Sequence, residues 1–155
     1  MPRTVSILFV CTGNICRSPC AEAVARMLAD KAGKPLLIDS AGTGDWHVGE
    51  RPDPRAIKAA SARGYDLSGL TARAVEDEDY HRFDHLIAMD DSHKRWLLEA
   101  RAGRQLPDTP VSLLMDWSVG LAGTSVPDPY YGDEADFERM LDLIEKGCQG
   151  LVARL

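Results

Sequence analysis

The chain has 155 residues, 45% hydrophobic and 27% charged, a size and balance that suit one domain spanning residues 1–155 around one sizeable core. With 24 acidic against 18 basic side chains its net charge is −6, which excludes a broad basic face for nucleic acid and leaves any phosphate site small, deep and locally positive. The apolar run after Arg3 is shorter than the roughly 7–15 residues of a leader peptide and no stretch reaches a membrane span, so the chain is expected in the cytoplasm, with neither membrane nor nucleic acid as partner.

Val5 to Val10 is a near-continuous apolar run, interrupted only by Ser6, as expected of a parallel strand covered on both faces. The loop Cys11-Thr12-Gly13-Asn14-Ile15-Cys16-Arg17-Ser18 follows, and then Ala21, Val24, Ala25 and Leu28 recur at helical spacing. Pro19 suits the first turn of that helix and Gly33 its end. Leu36 to Asp39 reads as a second strand, and Ser40 to Asp53 as a loop carrying Gly42-Thr43-Gly44 and Trp46. Asp53 caps a helix with Pro54 at its first position, running to about Arg63 and stopping at Gly64. The acidic run Glu76 to Asp79 reads as a solvated helix start. Leu86 to Met89 is a third strand, followed by a helix with His93, Trp96, Leu97 and Ala100 on one face. Val111 to Leu114 is a short fourth strand. The last helix, capped by Asp133, carries Phe137, Met140, Leu141, Ile144, Cys148, Leu151, Val152 and Leu155 in the i, i+3, i+4, i+7 pattern. Strands alternating with helices predict an α/β fold: a four-stranded parallel sheet flanked by helices on both faces, with a phosphate-binding loop after strand 1. Ligands of such folds sit at the carboxyl ends of the strands, where Cys11 to Ser18 falls.

The chemistry of that loop follows from its residue types. Arg17 is a fixed cation with a planar fork of donors that can grip two phosphoryl oxygens. Gly13 allows positive φ and Asn14 tolerates it, so successive N–H groups from Thr12 through Ser18 can point inward at an anion. A helix N-terminus behind them adds about half a positive charge. Cys11 at the centre of this field is expected as a thiolate, a nucleophile aimed at phosphorus. Nucleotide and dinucleotide loops do not fit, because no Gly-Lys-Ser/Thr is present and Gly42-Thr43-Gly44 lacks a third glycine.

Transfer of phosphate from a phenol needs a proton for the leaving oxygen, since a phenol has a pKa of about 10. The candidate acid is Asp128, held between Pro127 and Pro129, although such an aspartate also suits an ordinary turn. Tyr130, Tyr131 and Trp46 either wall a slot for an aromatic ring or pack as loop residues. The four cysteines, Cys11, Cys16, Cys20 and Cys148, are expected as thiols, and no spacing suits zinc. Cys20 and Cys148 read as core. The histidines His47, His81, His85 and His93 read as surface or packing residues without ligand spacing.

Taken together, Val10 to Ala23, Asp39-Ser40, Asp45-Trp46, Pro52-Asp53-Pro54-Arg55, Met89-Asp90 and Asp128-Pro129-Tyr130-Tyr131-Gly132 resemble the motifs of the low-molecular-weight protein tyrosine phosphatases, over nearly the whole chain. The resemblance implies that Cys11 is the nucleophile and that Arg17 binds phosphate and stabilises the transition state. Asp128 would be the general acid and then the base for water, and no metal or cofactor is needed. Thr12, Gly13, Asn14, Ile15, Cys16, Arg17 and Ser18 would form the phosphate loop, with Ser18 donating to the thiolate and Asn14 and Ser40 holding the loop in shape. Thr12, Ile15, Trp46, Tyr130 and Tyr131 would line the substrate pocket. Cys16 would be the partner for a reversible protective disulfide with Cys11. The implied partners are phosphotyrosine-containing proteins, and the chain is expected as a monomer or weak homodimer. Arsenate reductases of this fold use extra cysteines around the third strand, and Tyr80 to Asp91 contains none. Protein arginine phosphatases carry a small threonine where this chain has Ile15, and lack the tyrosine pair. A non-catalytic phosphate-binding protein is the alternative outside enzymes. Thr12, where many tyrosine phosphatases of the family carry a larger residue, bears on fine specificity.

Overall fold

The computed structural model describes residues 4–155, and Arg3 lies outside them. Four parallel strands form one sheet in the order β2-β1-β3-β4: β1 (Val5–Cys11), β2 (Leu36–Gly42), β3 (His85–Ala88) and β4 (Val111–Leu113). The helices are α1 (Arg17–Ala32), α2 (Pro54–Ala62), α3 (Asp77–Arg82), α4 (Asp91–Arg104) and α5 (Glu134–Arg154). Successive side chains of β1 point to opposite faces. Ile7 and Phe9 pack with Val24 of α1, Ala56 and Ala60 of α2 and Ile144 of α5, whereas Leu8 and Val10 pack with Tyr80 of α3 and Leu97 of α4. Both faces of the sheet are therefore covered, as the apolar run predicts.

The chain leaves β1 for β2 on one side and later returns to β3 on the other. The topological switch point, where open α/β sheets bind ligands, thus lies at the carboxyl end of β1. Cys11 stands there as the last residue of the strand, paired with Gly42.

Several boundaries move. β2 does not end at Asp39, because Ser40, Ala41 and Gly42 continue the ladder opposite Phe9, Val10 and Cys11. β4 stops at Leu113, and Leu114–Trp117 winds into a short 3-10 turn. The acidic run is not a solvated helix start throughout: Asp79 is only 1% exposed, and its carboxylate takes both Arg73 Nη groups and the Glu76 N–H. That buried ion pair joins α3 to the segment that meets the edge of β2 at Ala74.

The 3-10 turn sits tightly under α5. A Cβ added at Gly150 would stand 1.9 Å from the Trp117 carbonyl oxygen, and one at Gly147 would stand 2.6 Å from Leu114 Cγ. Alanine ordinarily gains about 1 kcal/mol over glycine inside a helix. At Gly150 the gain is overridden, because the backbone it strikes cannot rotate away. Gly150→Ala is expected to lower Tm by several degrees, about 1 kcal/mol corresponding to roughly 2–4 °C in a chain of this size. Thermal unfolding checks this, and a raised Tm would contradict it.

Candidate active site

The loop after β1 turns sharply at Asn14, whose φ is 58°, so the left-handed residue is Asn14 rather than Gly13. Gly13 is required for another reason: a Cβ there would come 2.9 Å from the His47 ring. Gly42 lets the end of β2 approach from behind, since a Cβ there would meet the Thr12 carbonyl at 2.6 Å. The Thr43 and Gly44 N–H groups donate to the Cys11 and Thr12 carbonyls and fasten the two segments. The backbone N–H groups of residues 13–17 find no acceptor among the described residues. Donors gathered in this way at the start of a helix form an anion nest.

Cys11 Sγ lies 2.9 Å from Ser18 Oγ and 3.4 Å from the Ser18 N–H. Ser18 Oγ accepts from Asn14 Nδ2 at 2.7 Å, which leaves its own proton for the sulfur. Two donors thus point at Sγ. Asn14 Nδ2 also donates to Ser40 Oγ at 3.0 Å, and Ser40 Oγ donates to Glu22 Oε1 at 2.7 Å. Asn14 Oδ1 receives the Arg73 N–H. Asn14 is therefore fixed from both ends, with Ser40 as one of its partners. Glu22, on α1, anchors this chain without being singled out by its sequence context. Its carboxylate is 2% exposed, and burial raises its pKa against the pull of Ser40 and Arg26.

Arg17, also buried, gives Nη1 to Asp90 Oδ2 at 2.7 Å and to the Val126 carbonyl at 3.0 Å. Nε and Nη2 make no hydrogen bond to the described residues, which leaves that edge of the guanidinium for an anion. Burial works to raise the Asp90 carboxyl, but hydrogen bonds from Ser92 and Arg17 outweigh it and hold it at about 2. Asp90 is also the N-cap of α4, accepting from the Ser92 and His93 N–H groups. His93 is a packing residue, 2% exposed, yet its Nε2 lies 2.8 Å from Thr12 Oγ1 in the loop.

Asp128 comes to the same place. Its Oδ2 lies 3.7 Å from Arg17 Nη2, and its Oδ1 accepts the Tyr130 N–H, which fixes the turn. Val126 anchors this segment to the sheet by donating its N–H to the Met89 carbonyl. A cleft of about 240 Å³ gathers Cys11, Thr12, Gly13, Ile15, Cys16 and Arg17 on its floor, with Trp46, His47, Asp128, Tyr130 and Tyr131 around them. The tyrosine rings meet edge to face, 4.9 Å between centroids. The Arg55 guanidinium, held by Asp53 on both nitrogens, lies over Tyr130 and over Phe137. At the mouth Trp46 is 70% and Tyr131 95% exposed, and the Trp46 ring also lies against Gly44 of its own loop.

Of the predicted site residues the cleft gathers Cys11, Thr12, Gly13, Ile15, Cys16, Arg17, Trp46, Asp128, Tyr130 and Tyr131, while Ser18, Asn14 and Ser40 are joined to Cys11 by a chain of hydrogen bonds. The structure adds His47, read as surface or packing, to the cleft wall. All four cysteines are buried and free of disulfides, and burial pushes the Cys16 thiol well up, so that it is protonated at neutral pH. Among the described residues no cluster of His, Cys, Asp or Glu is arranged to hold a metal, and no helix is long and apolar enough to cross a membrane.

A backbone anion nest over a buried cysteine, closed by an arginine and faced by a carboxylate, defines a phosphate-site α/β protein. Residues 6–155 match the family described as low molecular weight phosphotyrosine protein phosphatase, and the chain belongs to that family. It is 42% identical over 154 residues to the low molecular weight protein-tyrosine-phosphatase of Streptomyces coelicolor, covering 97% of this chain and 93% of that one. The crystal structure of a protein tyrosine phosphatase from Entamoeba histolytica superposes with a TM-score of 0.89 at 35% identity, covering 97% and 96% of the two chains. The YwlE arginine phosphatase, solved with a phosphorylated active-site serine, superposes with a TM-score of 0.87 at 27% identity, covering 97% and 95%.

Proposed function

We propose that the protein hydrolyses phosphotyrosine monoesters in proteins through a cysteinyl-phosphate on Cys11. The convergence of Cys11 Sγ, the free edge of Arg17 and Asp128 on one aromatic-rimmed cleft carries the reading. The nest and Arg17 hold the phosphoryl oxygens. The Cys11 thiolate attacks phosphorus as the phosphorus–oxygen bond to the phenol breaks, and Asp128 gives its proton to the departing oxygen. Asp128, now a carboxylate, takes a proton from the water that attacks the cysteinyl-phosphate, releasing inorganic phosphate and the thiolate. Ile15, Tyr130 and Tyr131 line the cleft and favour a flat ring in the ester.

The reading extends to a cytoplasmic monomer or weak homodimer under redox control. Peroxide would oxidise Cys11 to a sulfenic acid, and the Cys16 thiol would displace water from it to form a disulfide that thiols reduce.

Wild-type protein is expected to hydrolyse a phosphotyrosine peptide with excess chelator present, at a rate unchanged by the chelator. Release of inorganic phosphate measures it. No turnover, a rate that only added metal restores, or preference for a phosphoarginine peptide would overturn the reading.

A further inference from the structure

We propose that His93 is a positioning residue for the phosphate site, holding the Thr12 hydroxyl so that its proton is presented to the bound phosphoryl group. The inference rests on the phosphatase reading above. His93 lies in the first turn of α4, and its ring is enclosed. Nδ1 faces the Asp90 N–H at 3.3 Å, an interaction that requires a lone pair on Nδ1. Asp90 Oδ1 lies equally close to Nδ1, but it already receives the Ser92 N–H, the Ser92 hydroxyl and the His93 N–H. The ring proton therefore sits on Nε2 and is donated to Thr12 Oγ1 at 2.8 Å. Burial lowers the imidazole pKa to about 4 against the pull of Asp90, so the ring is neutral at ordinary pH.

This direction of donation decides what Thr12 can do. An oxygen that accepts from His93 keeps its own proton to give away, and no acceptor among the described residues takes it. Thr12 lines the cleft beside Cys11 and Arg17, so the free O–H joins the nest as an added donor to a phosphoryl oxygen. The opposite tautomer would have Thr12 donate to His93 and withhold the proton from substrate. The N-terminus of α4 then serves the site twice, through Asp90 on Arg17 and through His93 on Thr12.

The test joins a tautomer measurement to a double-mutant cycle. Nitrogen-15 NMR of the imidazole is expected to show the proton on Nε2, and a proton on Nδ1 overturns the proposal. Orthophosphate binding by calorimetry is expected to weaken about tenfold in Thr12→Val. His93→Asn is expected to weaken it similarly, because its short amide replaces the cap contact at Nδ1 but does not reach Thr12. The double variant should lie within about twofold of either single one. KM for an aryl phosphate should rise with the phosphate Kd while kcat stays within about threefold, as for uniform binding. Additive losses, wild-type binding by Thr12→Val or by a folded His93→Asn, or a fall in kcat alone would overturn it. Should His93→Asn not fold, Thr12→Val and the tautomer decide. Wild type that binds orthophosphate without turnover sinks the phosphatase reading and leaves the tautomer and binding results to be read. Wild type that binds none overturns both.

Discussion

Cys11→Ser protein is expected to turn over aryl phosphates on the order of 10⁴-fold or more below wild type, while still binding orthophosphate. A serine hydroxyl keeps its proton at neutral pH, and the hydrogen-bond partner at this position is Ser18 rather than a base. Asp128 is needed as an acid in the same step, and Ser18 Oγ already accepts from Asn14. The binding half does not depend on sulfur. The N–H groups of residues 13–17 and the free edge of Arg17 are held by Asn14, Gly42, Asp90 and Val126, none of which touches Sγ. Initial rates and a calorimetric titration check the pair of outcomes. Full activity in Cys11→Ser would remove the nucleophile assignment, and lost binding with lost folding would show that the thiol has a structural role.

Asp128→Ala is expected to slow hydrolysis of phenyl phosphate about 10²–10⁴-fold, the range for a positioned general acid. In the phosphorylation step the loss on dinitrophenyl phosphate should be far smaller, because that leaving group departs without a proton, whereas the loss in breakdown is the same for every ester. The carboxylate is half exposed at the cleft mouth, 3.7 Å from Arg17 Nη2, so removing it opens no core. Burst kinetics across a series of phenols separate the steps, because the first shows the leaving-group dependence and breakdown of the phosphoenzyme does not. Equal losses of the first step on every ester would remove the general-acid role.

The nucleophilic half of the site was legible because it is local. Strand, loop and helix follow one another from Val5 to Ala32, so the loop chemistry could be read from adjacent residues. Asp128 was different: its place opposite Arg17 depends on Val126 reaching the Met89 carbonyl, a contact between distant segments. Without the family resemblance, proline spacing alone fits an ordinary turn as well as it fits a catalytic acid. The supporting residues were hidden for the same reason. Glu22 looks like any helical carboxylate until β2 is seen to run on to Gly42 and bring Ser40 against it. Asp79 looks solvated until Arg73 is placed. Asp90 followed by His93 carries a readable cap spacing at the start of α4, but Thr12, the partner that gives His93 meaning, comes from the loop after the neighbouring strand β1, far away in sequence. Polar residues that face inward and pair across the fold leave no periodic trace.

The central claim is that phosphate passes through Cys11. Wild-type protein mixed with dinitrophenyl phosphate and quenched in acid within a turnover, then digested and analysed by mass spectrometry, tests it directly. One phosphoryl group on the sulfur of Cys11 is the predicted result. Turnover with no phosphorylated peptide, or with the phosphoryl group on another side chain, would contradict it.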